Sequence, residues 1–227
     1  MPPKHNLGVV NDGTTIIAVE FDGGVVIAAD SRTSCRSYVC NRLADKLTRL
    51  SDYIYCCRSG TANQTQTMAD FVAHLLNVQE ISMGKQPLVY DAACQFRELI
   101  YKYRSSCVAG IIVAGWDERQ GGQVYSIPVS GFLCREPCAL GGSGSTYLQG
   151  FVSSEHRTGM SKQDCMRFVL KAVRMAIKHD CHSGGVVRIG VITKDGMQSH
   201  VIPENELQQF SFTNEMLWNL EFAADKS

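Results

Sequence analysis

Two hydroxyl residues follow a small, flexible one at the point where the first strand begins. Thr14 and Thr15 come directly after Gly13, and the polar prefix before them ends in the turn signal Asn11-Asp12-Gly13. A turn leading into a strand accounts for this pattern. The alternative is that the chain cuts itself here. A threonine hydroxyl can attack the preceding carbonyl, and glycine has no Cβ to resist the strained conformation required.

Other nucleophile motifs in the chain are incomplete. The segment GGSGS at residues 141–145 approaches a nucleophile elbow, but Ser145 stands where that motif needs glycine, and it lacks the lysine of a phosphate loop. His179 and His182 flank Asp180, but closeness in sequence does not make a Ser/His/Asp triad. These segments alone therefore assign no chemistry.

The ten cysteines raise the question of disulfides and zinc. A chain of 227 residues can bury its own core, and its N-terminus lacks the apolar run of a secretory signal. We therefore expect free, buried thiols and no disulfide framework. No Cys-x-x-Cys pair occurs, and neither Cys56-Cys57 nor Cys134-x3-Cys138 has partners at zinc spacing, so we expect no metal site.

The composition is that of a globular protein, with 44% apolar and 19% charged residues. Lys plus Arg equals Asp plus Glu at 22 each, which leaves no electrostatic reason to expect a nucleic-acid or membrane partner. The longest strongly apolar stretch, residues 107–116, is shorter than the roughly 18 residues that a membrane span needs. We expect an intracellular chain with a prefix at residues 1–13, a domain at 14–227 and a C-terminal arm from about residue 205.

Two kinds of hydrophobic period divide the chain into strands and helices. Period-two or continuously apolar segments predict strands at residues 15–21, 25–30, 46–50, 53–58, 108–116, 123–128, 132–140, 186–193 and 198–202. Helical period predicts a helix of about 16 residues from Ala62, a second over residues 92–103 and a third over 161–177 with Ser161 as N-cap.

The order of these elements indicates the fold class. Paired strands alternate with separate blocks of helices, which favours an α+β fold over a doubly wound parallel sheet. Three strands are apolar on both faces, so each sheet must be covered on both sides. We therefore predict a four-layer αββα sandwich.

Seven short motifs occur in a fixed order along the chain. They are GTTIIAV from Gly13, DSR from Asp30, DKL from Asp45, SGTA from Ser59, AGWD from Ala114, GSGS from Gly142 and D-x-x-SGG from Asp180. Together they resemble a catalytic beta subunit of the 20S proteasome, of the N-terminal nucleophile hydrolase family. The resemblance runs from about Thr14 to Pro203 and implies the same αββα sandwich.

Within that family, three segments resemble the caspase-like, post-acidic beta type. They are VEFDGGVV from Val19, CRSG from Cys57, and the run from Ile111 to Tyr125. Arg58 falls where the family sets the S1 pocket, so its guanidinium would pair with a P1 carboxylate. The alternative for Arg58 is an exposed arginine at a strand end. An apolar residue there, as in the inducible immune counterpart, would imply hydrophobic P1 residues instead.

The resemblance also assigns roles to individual residues. Residues 1–13 become a propeptide, cut between Gly13 and Thr14, and the freed amine of Thr14 then serves as base for its own hydroxyl. The implied catalytic set is Thr14, Asp30, Lys46, Gly60, Ser143, Asp180 and Ser183. The implied substrate-binding set is Arg58, Thr33, Ser34 and Ala62.

These roles divide the catalytic set into three groups. Lys46, held by Asp30, would stabilise the developing alkoxide, and the Gly60 N–H would bind the oxyanion. Ser143, Asp180 and Ser183 would orient the terminal amine. The run Cys35-Arg36-Ser37-Tyr38 departs from the family pattern, which commonly has a glycine before Ser-Tyr, and we expect this departure to bear on the local loop and pocket shape.

The biological setting likewise follows from the resemblance. It implies a threonine endopeptidase, made as a zymogen, that needs no cofactor and cleaves unfolded polypeptides after acidic residues in ubiquitin-dependent degradation. Its partners would be the other alpha and beta subunits of a four-ring barrel of twenty-eight chains, in cytoplasm and nucleus. The alternatives are a non-catalytic structural beta subunit of the ring and an amidohydrolase of the same nucleophile class that acts on a small molecule.

Overall fold

Twelve strands and five helices make up residues 13–35 and 38–209, the part of the chain described by this computed structural model. The strands are β1 (Ile16–Phe21), β2 (Gly24–Asp30), β3 (Thr33–Cys35), β4 (Tyr38–Asn41), β5 (Leu47–Ser51), β6 (Ile54–Gly60), β7 (Ala109–Asp117), β8 (Gly121–Ile127), β9 (Cys134–Arg135), β10 (Cys138–Gly141), β11 (Val187–Thr193) and β12 (Gly196–Ile202). The helices are α1 (Ala62–Met83), α2 (Val89–Tyr103), α3 (Ser145–Glu155), α4 (Lys162–His179) and α5 (Glu204–Gln209).

Two antiparallel five-stranded sheets form the centre of the molecule. The first has the order β10-β1-β2-β11-β12 and the second the order β5-β6-β7-β8-β9. Strands β3 and β4 form a separate hairpin. Consecutive strands pair mostly through short connections, as the hairpin signals predict.

The side chains of each central strand divide between two hydrophobic cores. On β1, Ile17 and Val19 pack with α4 residues, whereas Ile16 and Ala18 face the second sheet. Helices α1 and α2 cover the outer face of the second sheet around Phe96. Helices α3 and α4 cover the first sheet, so the layers follow the order helix, sheet, sheet, helix. The predicted αββα sandwich is confirmed.

Several elements differ from the sequence prediction. Helix α1 has 22 residues, longer than predicted, and ends at Gly84 in the left-handed conformation. The single strand predicted over residues 132–140 is two short strands, β9 and β10, which belong to different sheets. The β3–β4 hairpin, α3 and α5 were not predicted. Residues 1–12, the Arg36-Ser37 departure and the arm beyond residue 209 lie outside the described residues.

The cysteines correct one expectation. Cys40 is disulfide-bonded, whereas eight other cysteines are free. Cys40 lies on the exposed strand β4, outside the core to which the argument for buried thiols applies. Cys56, Cys57, Cys107 and Cys165 are buried free thiols as predicted. Within residues 13–35 and 38–209, no helix is both long and apolar enough to cross a membrane.

Candidate active site

The first hairpin brings Thr14 and Thr15 beside Asp30, although these residues are far apart in sequence. In the antiparallel pair β1–β2, Ile16 lies opposite Ala29, so the residues just before β1 meet the end of β2. The Thr15 N–H donates to Asp30 Oδ1 at 2.8 Å, and the Asp30 N–H donates to the Thr15 carbonyl at 3.1 Å. The strand register therefore fixes one side of the site.

Lys46 reaches the same point from the second sheet, where it directly precedes β5. Its Nζ donates to Asp30 Oδ1 at 2.7 Å, to Thr14 Oγ1 at 3.1 Å and to the Gly13 carbonyl at 3.3 Å. All four residues are buried. A cation in this position stabilises negative charge on either the hydroxyl oxygen or the carbonyl oxygen, and the buried surroundings strengthen that effect.

The carboxylate of Asp30 is fully hydrogen-bonded despite complete burial. Besides Lys46 and the Thr15 N–H on Oδ1, its Oδ2 accepts the N–H groups of Arg32 at 3.2 Å and Gly184 at 3.0 Å. A buried ion pair is favourable when such bonds satisfy its remaining lone pairs. Lys46 is therefore held by a carboxylate that is itself fixed by three backbone groups.

The Gly13–Thr14 junction is closely packed. Thr14 Oγ1 donates to the Gly13 carbonyl at 2.7 Å, so the hydroxyl lies against the peptide bond that it would attack. A Cβ at position 13 would lie 1.8 Å from His182 Cβ and 2.8 Å from His182 Cα. Packing, rather than backbone conformation alone, therefore requires glycine here.

A second polar network holds the other side of Thr14. The Thr14 N–H donates to Ser143 Oγ at 3.1 Å, and Ser143 Oγ donates to Asp180 Oδ2 at 2.7 Å. Ser183 Oγ also donates to Asp180 Oδ2 at 2.7 Å, and it lies 2.7 Å from Thr15 Oγ1. Because the Ser183 proton is directed to Asp180, Thr15 is the donor in that last bond. The three residues predicted to orient the amine thus form one network, which contacts Thr14 through Ser143 and Thr15 through Ser183.

The pKa of Asp180 reflects this network. Burial would raise the pKa of the carboxyl, but hydrogen bonds from Ser143, Ser183 and the His182 N–H favour the charged form and outweigh it. The pKa of Asp180 is therefore lowered from its ordinary value of 3.8. The carboxylate is a stable acceptor at neutral pH.

A glycine-rich turn between β10 and α3 cradles the backbone of Thr14. Gly142 has a φ of 80°, and a Cβ on it would lie 2.0 Å from the Thr14 carbonyl oxygen. The Gly144 N–H donates to that same oxygen at 3.2 Å. Ser143 was predicted as a site residue in this segment, but no role was predicted for the glycines beside it. The signal for them was the alternation of Gly and Ser over residues 141–145.

Gly60 lies on a cleft of about 460 Å³ that also reaches the junction. The walls of this cleft include Gly13, Gly60, Ser143 and His182, together with apolar side chains of β7 and β8. Gly60 has a φ of 102°, and a Cβ on it would lie 2.1 Å from the Val108 carbonyl oxygen. The cleft thus joins the Gly13–Thr14 junction and Gly60 in one space large enough for part of a peptide. Sequence reasoning missed His182 as a wall residue.

The four predicted substrate-binding residues lie next to the site in sequence but do not line this cleft. Thr33 and Ser34 lie in β3, which begins shortly after Asp30, and Ala62 begins α1 two residues after Gly60. Arg58 lies on β6, and its N–H donates to the Lys46 carbonyl at 2.9 Å. Arg58 therefore lies beside the segment that carries the site lysine.

The guanidinium of Arg58 is buried among neutral oxygen atoms. Its Nε donates to Thr48 Oγ1 and its Nη2 to the Asp45 carbonyl, each at 2.7 Å. Its exposed fraction is 8%, and no carboxylate of the described residues pairs with it. A buried cation held only by neutral groups attracts an incoming carboxylate strongly.

Comparison with known proteins identifies one family. A family model described as "Proteasome subunit" matches residues 10–192. The Bos taurus protein named proteasome subunit beta type-9 is 47% identical over 89% of this chain and 92% of its own length. The Dictyostelium discoideum proteasome subunit beta type-6 is 44% identical over 92% of this chain and 97% of its own length.

A third relative is the Schizosaccharomyces pombe protein named probable proteasome subunit beta type-1. It is 44% identical over 84% of this chain and 84% of its own length. The family model covers the whole site from Gly13 to Ser183. This chain therefore belongs to the proteasome beta subunit family.

Proposed function

We propose that this chain is a catalytic proteasome beta subunit, a threonine endopeptidase that cleaves polypeptides after acidic residues. One observation carries the proposal: Lys46 Nζ lies 3.1 Å from Thr14 Oγ1 and 2.7 Å from Asp30, while the hydroxyl contacts the Gly13 carbonyl. Nucleophile, cation and scissile bond are thus adjacent in a buried setting. A ring subunit with a purely structural role has no need of this arrangement.

Processing of the leader is the first reaction proposed. Thr14 Oγ1 attacks the Gly13 carbonyl carbon, and Lys46, already hydrogen-bonded to that carbonyl oxygen, stabilises the oxyanion. Collapse of the intermediate breaks the Gly13–Thr14 amide and moves the acyl group to Oγ1, while the hydroxyl proton passes to the departing nitrogen and leaves the Thr14 amine free. Water then hydrolyses the ester, which releases residues 1–13 with a C-terminal carboxylate.

The mature residue uses the freed amine as its base. An α-amine has a pKa of about 7.7 to 8.0, so a useful fraction is neutral near pH 7 and takes the hydroxyl proton. Ser143, anchored on Asp180, already contacts this nitrogen and would hold the amine in place. The alkoxide attacks the substrate carbonyl, the amine returns the proton to the leaving peptide, and water hydrolyses the ester.

Specificity for acidic residues is proposed from Arg58. A P1 carboxylate that reaches its guanidinium would replace or join the neutral oxygens of Thr48 and Asp45 and form a charge-assisted hydrogen bond. Thr33, Ser34 and Ala62 are proposed to border the same subsite. Action on unfolded chains in ubiquitin-dependent degradation, in cytoplasm and nucleus, is part of this proposal.

Peptide hydrolysis by assembled particles tests the proposal. Acyl-Glu reporters should be cut faster than acyl-Leu reporters, and Arg58→Leu should lower the ratio of their kcat/KM values by about 10- to 100-fold, the value of one charged hydrogen bond. The control is Arg97→Leu, since Arg97 is an exposed arginine paired only loosely with Glu98. An unchanged ratio in Arg58→Leu would contradict the acidic preference while leaving the nucleophile untouched.

A further inference from the structure

A cluster of metal-binding side chains lies on the turn after α4, beside the site. It consists of Asp180, Cys181 and His182, each offering one ligand atom within 4.8 Å of the others. Cys181 Sγ is 3.2 Å from His182 Nδ1, and His182 Nδ1 is 3.6 Å from Asp180 Oδ1. In a tetrahedral zinc site, with metal–ligand distances of about 2.0 to 2.3 Å, ligand atoms are roughly 3.3 to 3.8 Å apart. The cluster needs only small side-chain shifts to meet that spacing.

We propose that these three residues bind one divalent cation of the zinc class, and that the bound cation suppresses the reactivity of Thr14. Thiolate and imidazole ligands favour zinc over magnesium or calcium, which prefer oxygen atoms. Three protein ligands leave a fourth position for water. The cluster was not predicted, because zinc motifs have spaced ligands whereas these three are consecutive.

The position of the cluster allows a cation to enter from solvent. Cys181 is exposed and the His182 side chain is 43% exposed, whereas Asp180 is buried and fixed by its hydrogen bonds. The site therefore combines one rigid ligand with two accessible ones. Two of the other free thiols are shielded by comparison, since burial raises the pKa of Cys56 to about 12 and that of Cys165 to about 11.

The link to Thr14 runs through Asp180. One oxygen of this carboxylate faces His182 and the other accepts the proton of Ser143, which in turn contacts the Thr14 nitrogen. A divalent cation on Asp180 Oδ1 offsets the negative charge of the carboxylate that faces Ser143 and the Thr14 nitrogen. It therefore disfavours the positive charge that the Thr14 amine gains when it takes the hydroxyl proton. Cation binding does not depend on the proposed function, but suppression of peptide hydrolysis rests on it.

Titration of the full chain with Co²⁺, as a spectroscopic substitute for zinc, tests binding directly. We expect a thiolate-to-cobalt charge-transfer band that saturates at one equivalent and disappears when Zn²⁺ displaces the Co²⁺. Cys181→Ser should abolish the band, and His182→Gln should weaken Co²⁺ binding by at least about tenfold. The matched control is Cys94→Ser, which changes a free cysteine on α2 and should keep the band. Absence of the band in the unsubstituted chain, or its persistence in Cys181→Ser, would overturn the site.

Inhibition of assembled particles tests the second half of the inference. Zn²⁺ should lower acyl-Glu hydrolysis reversibly, with EDTA restoring the rate, and Cys181→Ser should need at least about tenfold more Zn²⁺ for the same inhibition. Equal inhibition of both particles would overturn the regulatory claim. Particles that fail to hydrolyse the reporter even in EDTA would instead count against the proposed function, and the cobalt spectrum would still decide the metal site.

Discussion

Among single residues, Lys46 carries the largest share of the proposed chemistry. Lys46→Met keeps most of the unbranched side chain but removes the charge beside Thr14 Oγ1, so kcat/KM should fall on the order of 10²- to 10³-fold. The substitution also leaves the buried Asp30 without its cation, which should lower the free energy of unfolding by about 3 kcal/mol. Reporter hydrolysis and urea unfolding measure the two effects.

The control for this prediction is Lys171→Met. Lys171 pairs with Glu155 at 3.8 Å with both side chains about half exposed, so its loss should cost less than about 1 kcal/mol and no activity. Near-normal hydrolysis by Lys46→Met would mean that the alkoxide is stabilised by some other group.

Gly13 offers a test of the packing at the junction. Gly13→Ala would place a Cβ 1.8 Å from His182 Cβ, a distance too short for two carbon atoms that are not bonded. The junction would have to shift, so removal of the leader should slow strongly. His182→Gly in the same chain removes that contact and leaves only the Cα at 2.8 Å, so it should restore part of the processing. Mass spectrometry of the chain N-terminus over time measures both. Normal processing of Gly13→Ala alone would contradict this view of the junction.

The site residues that could be predicted from sequence are those that lie in the family motifs. Thr14, Asp30, Lys46, Ser143, Asp180 and Ser183 were predicted through the family resemblance, and the structure brings their side chains together. Spacing alone could not have shown this, since residues 14, 46 and 180 meet only through sheet register and the packing of two sheets. Three further contributors were not predicted: Gly142, Gly144 and His182. The two glycines allow close approach of the backbone and His182 forms part of the cleft wall, and neither role requires a catalytic residue type that could be recognised in the sequence.

At the level of elements, the start of α3 illustrates how close packing positions the site. A Cβ at Gly144 would lie 1.9 Å from Thr15 Oγ1 and 3.2 Å from Ser183 Oγ. Gly144→Ala should therefore push α3 away from β1, disturb the Thr15–Ser183 bond and lower kcat/KM by at least about tenfold, as misplacement near a reacting group does.

The same helix supplies the control for this substitution. Gly150 lies within α3, and a Cβ there would meet no atom within 4 Å. Gly150→Ala should leave reporter hydrolysis unchanged and stabilise the chain by roughly 0.5 to 1 kcal/mol, since alanine favours a helix over glycine. If both alanine variants hydrolyse the reporter equally well, the close packing of the start of α3 does not hold the Thr15–Ser183 bond in place for activity.

The elements themselves were predictable where hydrophobic period and turn residues agreed. The β1–β2 and β11–β12 hairpins, α2 and α4 follow those signals, and their order indicated the layered sandwich. Helix α3 was missed because it buries Leu148 as its one fully enclosed side chain and so shows no clear stripe. The break between β9 and β10 falls at Glu136 and Pro137, and the interruption that proline causes in a strand was overlooked when one strand was predicted over residues 132–140.

For the whole molecule, His200 links stability to pH. Burial, and then the charge of Lys162, lowers the pKa of this imidazole below its ordinary value of 6.5. A lowered pKa means that the unfolded chain takes up the proton more readily, so stability should fall as pH drops below about 6.5. His200→Gln should lose less stability than the unsubstituted chain between pH 7.5 and 5.5 in urea unfolding.

His74 provides the comparison for this pH effect, because it is exposed on α1. His74→Gln should follow the pH dependence of the unsubstituted chain. The stability of His200→Gln could instead fall as steeply as that of His74→Gln when the pH is lowered. That result would show that another group causes the loss of stability at low pH.

As a proteasome family member, the chain works together with other subunits, and the question for the assembled particle is whether this subunit is catalytic. The most direct measurement is peptide mapping by mass spectrometry after particles react with an acidic peptide vinyl sulfone. We expect the adduct on the hydroxyl oxygen of Thr14, with Thr14 as the first residue of the labelled chain. An unlabelled chain in which Gly13 is still joined to Thr14 would contradict it and leave this protein a structural member of the ring.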